Sequence, residues 1–167
     1  MRNIKIKIGA LIFLLFFFNN CGFKPMYKIS ESNIDFKSYS IVIMNESNIS
    51  REIKEEIRKS FPSSMEADKD YVIEINTTET LDPLITNTDG TVAKYRIEIV
   101  INFKVKSKNN ESYLIEDIVR GFAQYTVETS EIESDDKKKR MIRTATSSAI
   151  QMMISKIQSD TSITNDN

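Results

Sequence analysis

The chain has 167 residues, with 23 basic and 24 acidic side chains and a formal net charge of -1. That length suits one domain around a single core, and the near-neutral charge is a poor fit to sequence-independent nucleic-acid binding, which runs on phosphate neutralisation. Histidine is absent and cysteine occurs once. This removes the commonest general base and metal ligand, every Ser-His-Asp or Cys-His arrangement, and any intramolecular disulfide. The sequence has no P-loop and no GxGxxG, so no cofactor and no enzymatic activity are expected.

The first 20 residues read as an export signal. Arg2, Lys5 and Lys7 give a basic start, and an apolar run follows from Ile8 to Phe18. A membrane-spanning helix needs about 20 mostly apolar residues. This shorter run with its basic flank matches a secretory signal instead. Cys21 sits just beyond it, where such signals are cut, and its thiol can take a diacylglyceryl group. Each buried methylene of such chains contributes about 0.8 kcal/mol, so several chains hold a protein firmly on a bilayer. Asn19 and Asn20 stand where lipoprotein signals usually carry a small residue. The expected organisation is a signal peptide over 1–20, a lipid-anchored tether over 21–34, a single α+β domain over 35–158 and a disordered polar tail over 159–167.

Within the domain, Asp35 to Met44 reads as a first strand, with Tyr39, Ile41 and Ile43 alternating against Ser40, Val42 and Met44. Ile49, Ile53, Ile57 and Phe61 then recur every four residues, which predicts one buried helical face. Ser47 or Asn48 is expected to cap this helix and Pro62 to end it. Tyr71, Ile73 and Ile75 begin a second strand that runs on to Ile85, with Pro83 marking an edge or a bulge. Asn87-Thr88-Asp89-Gly90 is a hairpin turn, because glycine accepts positive φ without a steric penalty.

The third strand is the clearest. Tyr95, Ile97, Ile99, Ile101, Phe103 and Val105 fall on one face, and Arg96, Glu98, Val100, Asn102, Lys104 and Lys106 on the other. Strict alternation predicts one buried and one wet face. A turn at 108–111 leads to a fourth strand from Tyr113 to about Glu128, with Val119, Gly121, Ala123, Tyr125 and Val127 on one side. The last element is a helix from about Ser134 to Gln158 with the apolar stripe Ile142, Ala145, Ala149, Met152, Met153 and Ile157. The expected fold is α+β, a four-stranded, mostly antiparallel sheet with two helices on one face, in the order β-α-β-β-β-α.

Cys21-Gly22-Phe23-Lys24-Pro25-Met26-Tyr27 resembles the start of mature lipopolysaccharide-assembly lipoproteins of the LptE family, where C-G-F-[RK]-P-[LM]-Y follows the signal. Asp89-Gly90 followed by Tyr95-Arg96-Ile97 and a long alternating strand, and Tyr125 to Glu131 leading into the striped terminal helix, resemble the family too. The resemblance implies lipid anchoring through Cys21 at the inner leaflet of the outer membrane. Gly22, rather than aspartate, after the cysteine is consistent with that sorting. It further implies an LptD-type β-barrel as partner, which the protein plugs and helps to assemble, and lipopolysaccharide as a ligand on its way to the surface.

Lipopolysaccharide carries phosphates near its acyl chains, and lysine or arginine on a wet sheet face can pair with them. Lys94, Arg96, Lys104 and Lys106 are the candidates, the last three sharing one strand face; the alternative is an ordinary solvated face with edge protection. In the run Lys137-Lys138-Lys139-Arg140 the side chains should point in different directions around a helix, as solvated surface. Phe23 and Tyr27 read either as part of a plain tether or as anchors at a lipid interface. A competing function from another class is a lipoprotein that regulates a periplasmic envelope enzyme such as a cell-wall synthase.

Overall fold

The computed structural model describes residues 39–61, 70–108 and 112–160. The expected signal, Cys21, the tether, Pro62, most of the turn at 108–111 and residues 161–167 lie outside the described residues. The elements are β1 (Tyr39–Ile43), a 3-10 turn (Glu46–Asn48), α1 (Arg51–Ser60), β2 (Tyr71–Thr86), β3 (Val92–Ser107), β4 (Tyr113–Thr126) and α2 (Glu131–Ser159). The sheet order is β1-β2-β3-β4. β1 pairs with β2 in parallel, and the other two pairings are antiparallel. A parallel pair needs a crossover, and α1 lies in it. The α+β order expected from the sequence is therefore the observed one.

Alternation in β3 drives the layering. Ile97, Ile99, Ile101, Phe103 and Val105 are fully buried, and they join Ile73, Ile75, Val119 and Ala123 from neighbouring strands in one core with Ile53, Ile57, Ala145, Ala149 and Met153 from the helices. Each such aliphatic side chain contributes about 1.5–3 kcal/mol by leaving water, so Ile101→Ala would cost about 2–5 kcal/mol. Both helices thus lie on one sheet face. α2 rests on β4 at Gly121, where the absence of a side chain lets the helix backbone come in close.

The Asn87–Gly90 turn forms as expected. Gly90 has φ +86, its N–H donates to the Asn87 carbonyl at 3.0 Å, and the Asp89 carboxylate accepts from the Thr91 N–H at 2.9 Å. Register shifts fall between Pro83 and Thr86, so Pro83 marks a bulge. It also lies where β1 no longer flanks β2, since β1 pairs only as far as Ile75. Asn45 extends that pairing with its side chain: Nδ2 donates to the Thr77 carbonyl at 2.6 Å, and Oδ1 accepts from the Thr77 N–H at 3.1 Å.

Several local expectations change. The residue that caps α1 is Ser50, not Ser47 or Asn48, because those two are taken up in the 3-10 turn; the Ser50 hydroxyl makes no capping bond. α2 starts at Glu131, three residues early, because Ser130 caps it by accepting from the Glu133 N–H at 3.5 Å. It ends at Ser159, one residue beyond the expected Gln158. Met152 is not in the buried stripe but 49% exposed, and Thr146, Ile150 and Ile154 are buried instead. α2 packs against α1 as well as the sheet, so its buried arc turns toward α1 and leaves Met152 outside. Val127 lies past the end of β4 and is exposed.

Candidate functional site: the outer face of the sheet

The side chains of β3 that avoid the core form the spine of the outer face. Lys94, Arg96, Glu98, Val100, Asn102, Lys104 and Lys106 are all half-buried there. Neighbouring strands supply a carboxylate for most of the cations. Lys106 Nζ lies 2.5 Å from Glu74 Oε1 on β2, and the Tyr113 hydroxyl donates to the other Glu74 oxygen at 3.2 Å. Lys104 Nζ lies 2.8 Å from Glu116 on β4 and 4.7 Å from the centre of the Tyr113 ring, which adds a cation–π attraction. Arg120 on β4 returns the arrangement, pairing with Glu98 of β3 at 2.6 Å.

Lys104 and Lys106 are therefore brought together around Tyr113. Arg96 is not part of that cluster. It stands eight residues up the strand, about 26 Å away at the rise of a β-strand, where it meets Asp82 at 3.3 Å and lies 6.0 Å from the Phe122 ring centre. The three predicted cations thus form two separate groups. Lys94 shares their face, opposite Thr126 at the hairpin end.

These pairings set the local charge states. The hydrogen bond from Lys106 holds the Glu74 carboxyl below the usual glutamate range, with burial opposing and Tyr113 assisting. The bond to Glu116 raises the Lys104 ammonium above its ordinary value, again against burial. An arriving phosphate would share donors with a carboxylate instead of meeting bare charge. An ammonium has three N–H donors and a guanidinium five, so such sharing is chemically open.

The partner residues Glu74, Asp82, Tyr113 and Glu116 were not singled out from the sequence. A signal for two of them existed: the register fixed by the Asn87–Gly90 turn sets Glu74 opposite Lys104 and Asp82 opposite Arg96. The basic run on α2 behaves as expected. Lys137 is bonded to Glu128 and Lys139 lies 2.5 Å from Asp135, in different directions. Among the described residues, no group of three or more acidic side chains could hold a metal ion. No helix among them is long and apolar enough to cross a membrane.

The two-layer α+β fold is one that solved structures of several lipoproteins share with this domain. Rare lipoprotein B from Shewanella oneidensis is similar at 15% identity and TM-score 0.52, covering 71% of this chain and 95% of that one. A minor lipoprotein from Acinetobacter baumannii is similar at 10% identity and TM-score 0.54, covering 75% and 92%. The solution structure of lipoprotein B from Nitrosomonas europaea is similar at 11% identity and TM-score 0.54, covering 81% and 92%. At these identities the likeness is one of fold. No curated protein matches the sequence. Residues 36–157 match the LptE family, described as Lipopolysaccharide-assembly, and the chain belongs to that family. Its role lies in lipopolysaccharide assembly.

Proposed function

We propose that the protein is a non-enzymatic lipoprotein of the outer membrane, anchored through Cys21 on the periplasmic side, that plugs and helps to assemble an LptD-type lipopolysaccharide-translocating β-barrel. The family match over residues 36–157 carries this reading. The physical character of the domain supports it. Large barrels have polar lumens, and a plug needs a stiff body with a polar exterior whose charges are already matched. The outer face has that character: Lys106–Glu74, Lys104–Glu116, Arg120–Glu98 and Arg96–Asp82 tie three strands together.

In this reading residues 1–20 direct export and are removed, residues 21–34 tether the domain 35–158 to the lipid anchor, and the outer face of β3 meets lipopolysaccharide phosphate through Arg96, Lys104 and Lys106. Depletion of the protein tests the function: lipopolysaccharide should cease to reach the cell surface while peptidoglycan stays unchanged. Altered peptidoglycan with intact surface lipopolysaccharide would contradict it and favour a regulator of a cell-wall enzyme. Mass measurement of the mature N-terminus tests the anchor. A diacylglyceryl-modified Cys21 is expected, and an unmodified Cys21 or an uncleaved signal would contradict it.

A further inference from the structure

β4 is an edge strand, and its free side is treated differently along its length. The Val127 N–H donates to the Ala93 carbonyl of β3, and the β3–β4 register is unbroken from Lys94↔Thr126 to Val105↔Ile115. Residues of β4 alternate in direction. Odd-numbered backbone groups therefore face β3, and those of Ile118, Arg120, Phe122, Gln124 and Thr126 face outward. At Ile118 the edge is closed by side chains. The Asp117 carboxylate accepts from the Ile118 N–H at 2.6 Å, and Lys156 of α2 donates to the Ile118 carbonyl at 3.4 Å while also bonding Asp117. From Arg120 to Thr126 no such closure exists. Among the described residues no hydrogen bond joins their outward backbone groups, and all four residues are exposed.

Natural proteins blunt edges of this kind with charged side chains, proline, bulges or short strands, and Arg120 is the one charged residue of the stretch. Here the stretch holds no proline and no bulge. Apolar side chains flank it on both faces. Phe122 is 50% exposed on the outer face. Met152 is 49% exposed on α2, one turn from Lys156 and hence on the same flank beside β4. Within the stretch the exposed charge is Arg120, whose side chain is 55% exposed beside a Glu98 that is 17% exposed; Lys156 beyond it is matched by Asp117.

The geometry points to strand addition. The β4 edge from Arg120 to Thr126 takes an extended, partly apolar segment of the barrel partner that carries a carboxylate for Arg120 as a fifth strand, its pairing halted at Ile118 by Asp117 and Lys156. Main-chain hydrogen bonds supply the binding in this mode, and side chains at alternate positions supply the choice of partner. One row of the added strand covers Met152 and the other meets Phe122 and Arg120, where a carboxylate shares the guanidinium with Glu98. This inference rests on the barrel reading above and names the surface through which that partner docks.

The test is hydrogen exchange on the full-length lipoprotein, alone and co-purified with its barrel from detergent extracts. The amides of Phe122, Gln124 and Thr126 should exchange at least tenfold more slowly in the complex, while those of Val119, Gly121 and Ala123, already in the ladder, change little. Gln124→Pro removes only an outward donor and should lower barrel recovery at least tenfold, and Arg120→Glu should lower it several-fold. A recovered barrel with these amides unprotected would overturn strand addition and leave the barrel reading standing. If the unaltered chain recovers no barrel, both fall. Should Gln124→Pro not fold, the exchange pattern of the unaltered chain still decides.

Discussion

A β-carbon built on Gly121 would stand 1.9 Å from the carbonyl oxygen of Ala145 and 2.8 Å from the amide nitrogen of Ala149. α2 therefore lies directly on the backbone of β4, and this contact sets the spacing between the helical layer and the sheet. Gly121→Ala should destabilise the domain by about 3 kcal/mol, the upper range for overpacking, measured as a lowered midpoint in denaturant. Ala145→Gly should not rescue it, since the clash is with main chain. A variant within about 0.5 kcal/mol of the parent would refute this packing.

The Asn45 amide holds Thr77 at both its N–H and its carbonyl, in place of a further residue of β1. Asn45→Ala removes two partly buried hydrogen bonds and leaves two backbone groups unpaired, a cost of about 2 kcal/mol. Asn45→Asp keeps the acceptor but sets a carboxylate against the Thr77 carbonyl, and should be at least as damaging. Thermal unfolding of both variants checks the order.

Acid stability should depend on Glu74. Its folded pKa is depressed, chiefly by the bond from Lys106. Its contribution is thus present above the ordinary glutamate value and lost as pH falls through the lower folded value. For a partly buried pair this amounts to about 1 kcal/mol. As pH falls from neutral through the ordinary glutamate range and on below it, the parent should lose more stability than Glu74→Gln. Parallel curves for the two proteins would remove Glu74 from the account.

Lys104 and Lys106 face separate carboxylates, so charge reversal should act unequally. Lys106→Glu sets a second carboxylate beside half-buried Glu74 and should cost about 1 kcal/mol in stability; Lys104→Glu, beside the exposed Glu116, should cost less. Both should weaken lipopolysaccharide binding with the fold retained, read by circular dichroism and by binding to purified lipopolysaccharide. Unchanged binding in both variants would reject this pair as a contact site.

The fold was legible because its strongest signals are local. Ile97 through Val105 alternate without a fault, Ile53 and Ile57 keep helical spacing, and Asp89-Gly90 marks a turn. Misreadings arose where tertiary contact decides. Met152 and Ile154 both suit an apolar stripe, and only the packing of α2 against α1 buries Ile154 and exposes Met152. Ser47 and Asn48 have capping side chains, but a 3-10 turn consumed them before α1 began. In the site, the cations were visible at once, whereas Glu74 and Asp82 could be found only by carrying the register down from the Asn87–Gly90 turn, and Glu116 only through the pairing of β3 with β4.

This member of the LptE family is expected to work on an outer-membrane barrel. A tagged full-length chain, extracted from membranes in mild detergent, should bring down a large β-barrel protein in near-equal amount, and loss of the chain should leave that barrel misassembled. Recovery of the tagged protein without any barrel would contradict the account.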